Sequence, residues 1–233
     1  MHPLSTRSPR FGDRQVYTLR KAEPWHVSRE PGRRMRKREG VQVVRKGRQR
    51  RPVGVSTTAP IRAERPHHVW SYDSVHDETT DGRRLKCLTG RAEHPRACVA
   101  LSCAGSITAG AVVRVLPHLG SPRGTPGCLK RDNGAEFVAK PVTSWRSNAG
   151  VQTHFLEPGS PWQHGHNDSL NAVFRDGCLD RWLCASVQDA RCSIDQWRAA
   201  YNHERPHGAL NGMTPAAFAA HLSSQRAEVA EFS

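Results

Sequence analysis

Apolar positions along this chain change period along its length. Between residues 69 and 103 they fall in three short runs, Val69–Val75, Leu85–Thr89 and Cys98–Cys103, separated by polar or turn-forming residues. Runs of that length with such boundaries read as strands. The polar stretch His76–Gly82 closes the first, and its Asp81-Gly82 pair is a strong hairpin signal. Short connections predict a three-stranded meander. Ser106–Leu116 then reads as a helix capped by Ser106 and stopped by Pro117. Cys128–Arg131 is a short strand. Glu136–Asn148 is a helix interrupted or started at Pro141, and Val151–Leu156 is a strand with Val151, Thr153 and Phe155 on one face.

Two helices close this body. In the first, Leu170, Val173, Phe174 and Cys178 make one apolar stripe, while Asp168, Asn171 and Arg175 make a polar one. In the second, Val187, Ala190, Ile194, Trp197 and Tyr201 are spaced 3, 4, 3 and 4, a packing seam. Strands and helices in this order predict a mixed α/β sheet with helices on its faces. Upstream, Gln15–Lys21 reads as one helix. A second starts near Pro31, which a first turn tolerates, and runs to about Glu39. Val41–Thr58 is a basic, extended linker, and the domain boundary falls near Pro60–Pro66.

Charge sharpens this division. The chain has 233 residues and a formal charge of +14. Residues 1–60 hold 16 Lys/Arg against 4 Asp/Glu, whereas residues 61–233 hold 19 against 17. Nearly all the excess therefore lies in the first quarter. A basic arm on a near-neutral body suits nucleic acid, because cations bind phosphates without reading sequence. A solvated basic leader is the simpler alternative. A membrane protein is excluded, since the longest apolar run, around Ala97–Gly105, is far short of the roughly 20 residues that span a bilayer. Met1 to Arg20 has no apolar signal segment.

The seven cysteines are odd in number and include no C-x-x-C pair, so they read as core residues in a reducing cytoplasm. His203-Glu204-Arg205-Pro206-His207 matches the H-E-x-x-H zinc pattern, but that pattern needs a helix and Pro206 would break one.

Three acids matter for the resemblance given below, although composition and spacing alone do not single them out: Asp73 near the end of the first strand, Asp132 after a short strand, and Asp168 on the polar face of a helix. Carboxylates collected in this way can hold two Mg²⁺ or Mn²⁺ ions for phosphoryl transfer. Each also has a plainer reading, as a strand-end turn, an Asp-Asn-Gly turn or a solvent-facing residue.

From His67 to His221 the chain resembles the integrase core of bacterial insertion-sequence transposases, the DDE type with a ribonuclease-H-like fold. The resemblance rests on HHVWSYD, DGRRLKCLT, KRDNGAEF, EPGSPWQHGHNDSLN and YNHERPHGALNGMTPAAF, in the family's order, with 35 residues between Asp132 and Asp168. Residues 11–50 resemble, more weakly, the helix-turn-helix-like segment before that core. The resemblance implies a ribonuclease-H-like mixed sheet flanked by helices, over residues 61–221. A basic helix-turn-helix-like segment and linker, 1–60, precede it, and a tail, 222–233, follows. It implies metal-dependent DNA cleavage and strand transfer. Asp73, Asp132 and Asp168 would be the catalytic and metal-binding acids, with Mg²⁺ or Mn²⁺ as cofactor. DNA, as element ends and target, would be the partner, bound by a homo-oligomer. Arg45, Lys46, Arg48, Arg50 and Arg51 would bind nucleic acid.

The chain departs from the family pattern in places. Asp168 stands where the family has Glu, one methylene longer. Arg131 replaces a small residue beside Asp132. Arg91 and Pro95 interrupt an apolar strand end in which Glu93 keeps an acid, Gly177 replaces an acid, and Pro31-Gly32 falls in the upstream helix. Three functions follow: an active transposase, a catalytically inactive DNA-binding relative, or a structure-selective nuclease of the same fold.

Overall fold

The first apolar run becomes strand β1, Val69–Glu78. It is the centre of a five-stranded sheet of order β3-β2-β1-β4-β5. The other strands are β2 (Arg84–Ala92), β3 (Cys98–Ala104), β4 (Cys128–Arg131) and β5 (Gln152–Phe155). In this computed structural model, residues 2–21, 28–43, 61–113, 125–131, 139–155 and 165–231 are described. β1, β2 and β3 pair antiparallel as the expected meander, whereas β4 and β5 join in parallel, so the sheet is mixed.

Two strands run further than the pattern predicts. β1 continues through the polar residues His76, Asp77 and Glu78, which pair with Lys86, Leu85 and Arg84. An acid opposite a base across strands is a favourable pair, so the polar tail stays in the sheet. The turn itself is 79–83, where the Gly82 N–H donates to the Thr79 carbonyl at 2.9 Å. β2 likewise passes Arg91 and ends at Ala92. Arg91 does not break the strand. A register shift between Gly90 and Arg91 absorbs the irregularity. At Gly90 a Cβ would lie 2.5 Å from the Tyr72 ring and 2.7 Å from Ala100, so only glycine lets that ring cross β2.

Each face of the sheet carries its own core. On one, Trp70, Tyr72, Leu88, Val99 and Leu129 meet Val112 and Val142. Val142 belongs to helix α4, Lys140–Asn148, which Pro141 starts from its first turn. The helical turn over 109–113 is capped by Thr108 rather than Ser106. The Thr108 Oγ1 accepts from the Ala111 N–H at 3.3 Å. The expected continuation of that helix to Leu116 lies outside the described residues.

The other face packs Val75, Leu85, Cys87, Leu101 and Cys103 against two helices, α5 (Gly165–Phe174) and α6 (Val187–His203). Both apolar stripes point inward as predicted: Leu170 and Phe174 are fully buried, as are Ala190 and Ile194. After Phe174 the chain makes a π-helical turn, Arg175–Leu179, that keeps Cys178 in the core. Gly177 lies in this turn, where a Cβ would be 2.9 Å from the Trp197 Nε1. The missing side chain makes room for the indole.

The N-terminal residues add α1 (His2–Arg7), α2 (Asp13–Arg20) and α3 (Arg29–Arg38), and α7 (Pro215–Glu231) ends the described chain. Pro31 sits in the first turn of α3, and Gly32 is buried against α2. Arg36, only 1% exposed, ties the pair together. It meets Asp13 at 3.1 Å and donates to the carbonyls of Phe11 at 3.0 Å and Val41 at 2.9 Å. The segment rests on the core. Gln15 Nε2 donates to the Pro206 carbonyl at 3.1 Å, Arg7 meets Glu204 at 2.7 Å, and the Arg205 guanidinium lies over the Phe11 ring.

Candidate active site

Strand alternation places Asp73 on the face covered by α5, directly opposite Thr89 of β2. Its half-buried carboxylate is held at both oxygens. Oδ1 accepts from the Ser74 N–H at 2.7 Å, and Oδ2 accepts from the Asn171 amide at 2.7 Å. The Thr89 hydroxyl, fully buried, donates to Asn171 Oδ1 at 2.8 Å and lies 3.2 Å from the Asp73 carbonyl. One turn earlier on α5, Asn167 is 2% exposed. With its amide oxygen facing the Asp73 N–H, it accepts there at 2.9 Å and donates to the Ser71 carbonyl at 3.3 Å. Two asparagines at i and i+4 of one helix therefore grip the backbone and the side chain of a single aspartate.

Asp168 lies between those asparagines, half-buried in the first turn of α5, where a negative side chain suits the helix dipole. Seven residues on, along the same flank, Arg175 donates to the His76 carbonyl at 2.8 Å. The π-helical turn that follows α5 thus borders β1. Asp168 lies on the helix that Asn171 docks against Asp73. Asp132 lies outside the described residues. β4 leads to it, ending at Arg131 and paired so that Lys130 is opposite Ser71. Arg45, Lys46, Arg48, Arg50 and Arg51 also lie outside the described residues. Asn167 and Thr89 were not legible as site residues. Asn171 was visible only as part of a polar stripe, because the partner it grips is 98 residues away.

A second polar cluster adjoins the first. Glu93, 2% exposed at its side chain, pairs with Lys130 at 2.9 Å, and Lys130 also donates to the Ile61 carbonyl at 2.5 Å. Arg91, 1% exposed, donates to the His166 carbonyl in the first turn of α5. Among the described residues, Arg91 Nε and Glu93 Oε1 have no hydrogen-bond partner. Burial lowers the Arg91 pKa and raises that of Glu93, although Lys130 opposes the latter shift. Burial, then the cations Arg91, Arg96 and Lys130, hold His166 down at about 4.

The H-E-x-x-H match is not a metal site. α6 ends at His203, and the chain turns at a buried Pro206. Burial, then Arg205, Arg91 and Arg96, push His207 down to about 3.

Around Asp73 and Asp168 the donors are hard oxygens, as Mg²⁺ or Mn²⁺ requires. Both Asp73 oxygens act as hydrogen-bond acceptors, the hard-oxygen character that a divalent ion selects. The donor chemistry therefore fits a divalent ion. Among the described residues no group of three His, Cys, Asp or Glu converges to hold one.

An antiparallel meander extended by two parallel strands, with an acid on its central strand and another on a facing helix, defines a ribonuclease-H-like α/β fold of the integrase-core type. Solved structures share that fold. The catalytic core domain of HTLV-2 integrase, in complex with magnesium, matches with a TM-score of 0.56 at 17% identity, over 67% of this chain and 99% of that one. The BIV integrase catalytic core domain matches with a TM-score of 0.53 at 18% identity, over 70% and 99%. An integrase core domain family model matches residues 63–161, and a second model of that description matches 149–215. An uncharacterized 31.7 kDa protein of insertion element IS407 from Burkholderia multivorans is 33% identical over 93% of this chain and 78% of its own length. An uncharacterized 39.2 kDa protein of insertion element IS476 from Xanthomonas euvesicatoria is 33% identical over 96% of this chain, which spans 64% of that relative. The chain belongs to the integrase-core family of bacterial insertion-sequence transposases.

Proposed function

We propose that this chain cuts and joins DNA as a transposase, with Asp73, Asp132 and Asp168 holding Mg²⁺ or Mn²⁺. The observation that carries this reading is the Asn171–Asp73 hydrogen bond at 2.7 Å, which docks the helix bearing Asp168 onto the strand bearing Asp73. The offset that sets Ser71 opposite Lys130 is also the offset between Asp73 and Asp132. When bound, the ions supply polarisation of the attacking oxygen and stabilise the leaving one. The chain's own residues orient the acids. Asn171 and the Ser74 N–H fix the Asp73 carboxylate, Thr89 fixes Asn171, and Asn167 anchors the strand beneath.

Holding DNA falls to other residues. α3 exposes Arg29, Arg33, Arg34, Lys37 and Arg38. With Arg45, Lys46, Arg48, Arg50 and Arg51 of the linker, they suit phosphate contacts. In this reading residues 1–60 hold DNA and 61–221 do the chemistry, with 222–233 as a tail. Two element ends joined to one target call for a homo-oligomer, working in the cytoplasm.

The second reading is an inactive DNA-binding relative. It is favoured by Arg91 bonded into the first turn of α5 and by Lys130 two residues before Asp132.

Labelled DNA carrying the ends of the encoding element, with Mn²⁺, separates the two. Nicking and strand joining that vanish in Asp73→Asn and Asp132→Asn establish the first reading. Retained binding with no chemistry establishes the second, and no binding removes both. In the first case Asp168→Glu should raise the rate.

A further inference from the structure

Cys87 on β2 and Cys103 on β3 lie directly opposite each other in the antiparallel pair. Opposite residues in such a pair share one face, with Cα atoms about 4.5–5.5 Å apart. A disulfide spans roughly 4.4–6.8 Å between Cα atoms. Among the described residues no other two cysteines are so placed. All seven cysteines are reduced.

Both side chains lie in the core beneath α5 and α6. The register sets the two side chains against each other on that face. On the far side of Cys103, Arg191 of α6 reaches its carbonyl, with Nε donating at 3.1 Å. As a thiol, Cys103 also has the Val187 carbonyl at 4.0 Å. The other three thiols of this core bond elsewhere, Cys98 to the Ala100 carbonyl at 3.4 Å, Cys178 to the Ser193 carbonyl at 3.9 Å and Cys184 to the Trp182 carbonyl at 3.9 Å. The cluster therefore resolves into one facing pair and three bystanders.

We infer that Cys87 and Cys103 are an oxidative modification site, at which a hydroperoxide converts the facing thiols into a cross-strand disulfide. Cys103 is the nucleophile, because the Arg191 guanidinium is anchored on its own backbone carbonyl and a neighbouring cation favours the thiolate. Its thiolate attacks one peroxide oxygen and the O–O bond breaks. Cys103 becomes a sulfenic acid, and the other oxygen leaves as water after taking a proton. The Cys87 sulfur then attacks Cys103, the S–O bond breaks, and the hydroxide leaves as a second water with the Cys87 proton. Two thiols and one hydrogen peroxide give one disulfide and two waters. The pair is buried, but β3 is the edge strand of the sheet, so peroxide reaches it through opening at that edge. The new bond would tie β3 to β2 two residues before Thr89, the hydroxyl that positions Asn171.

The test uses the full chain carrying Cys192→Ser, which removes the exposed thiol. It is treated with hydrogen peroxide, denatured, alkylated and mapped by peptide mass spectrometry. The expected result is a Cys87–Cys103 linked species with two fewer alkylated thiols than the untreated chain, reversed by dithiothreitol. In Cys87→Ser, dimedone should instead label Cys103. Two outcomes overturn the inference. In one, Cys87 and Cys103 remain fully alkylatable at a peroxide dose that oxidises Cys178 or Cys184. In the other, either residue is linked to Cys178 or Cys184.

Discussion

Around Asp73 the hydrogen bonds close into a chain. Thr89 donates to Asn171, Asn171 donates to Asp73, and Asn167 takes the Asp73 N–H. Each of these bonded groups meets a complementary one. Nearby, Arg91 on β2, Glu93 just after that strand and Lys130 on β4 are as deeply buried, yet Arg91 Nε and Glu93 Oε1 find no partner among the described residues. The first cluster is neutral apart from one carboxylate that stays half-exposed. The second takes three charges out of water. Satisfied polar networks rigidify a site, whereas partly satisfied charged ones strain it. The acid site is thus built for precision, and the adjoining cluster carries the strain.

The largest test of that contrast is Lys130→Met. It leaves the buried Glu93 carboxylate without its cation, which should cost about 3–5 kcal/mol in urea unfolding. Adding Glu93→Leu should recover most of the loss, because an apolar pair removes both buried charges. If the double variant is no more stable than the single, the cluster is not the strained element.

Asn171→Leu follows. The apolar residue keeps the volume but strips Asp73 Oδ2 and the Thr89 hydroxyl of a partner, for about 2 kcal/mol. The same variant should lower strand-transfer activity by a larger factor than its stability loss explains. An unchanged activity would remove Asn171 from the site.

Much of the frame was legible in the sequence, because burial leaves a period behind. The stripes through Leu170–Cys178 and Val187–Tyr201 predicted two helices facing the core, and the three runs before Cys103 predicted the meander. The acids were a different matter. Only the family resemblance singled out Asp73 and Asp168, since an aspartate at a strand or on a helix flank has many plainer uses. Asn167 and Thr89 gave no signal, because their role depends on contacts with residues 82 or more positions away. Arg91 was misread as a strand breaker. Local propensity disfavours it there, but the bulge at Gly90/Arg91 and the His166 carbonyl accommodate it.

A smaller effect tests how far the field of the cations extends. His207 has its pKa pushed to about 3, by burial first and then by Arg205, Arg91 and Arg96. A base with a depressed folded pKa binds fewer protons folded than unfolded. Its stabilising contribution is therefore present above its ordinary pKa of 6.5 and is lost as pH falls below that value. The ring is half-buried, so the full shift is discounted to roughly 1–2 kcal/mol by about pH 4. Unfolding of His207→Gln should show a shallower loss than wild type over that range. Parallel pH profiles would mean the ring is not held neutral.

The smallest effect asks whether the Asp73 cluster is a unit. Thr89→Val alone should cost about 1 kcal/mol, since its hydroxyl leaves Asn171 Oδ1 unpaired. Asn171→Leu already removes that bond, so Thr89→Val made on top of it should cost less. The two losses should fall short of additive by about 0.5–1 kcal/mol in a double-mutant cycle. Additivity would mean that Thr89 and Asn171 act on Asp73 separately. The acid would then be held by independent contacts, no more cooperative than the charged cluster beside it, and the contrast between the two would rest on charge alone.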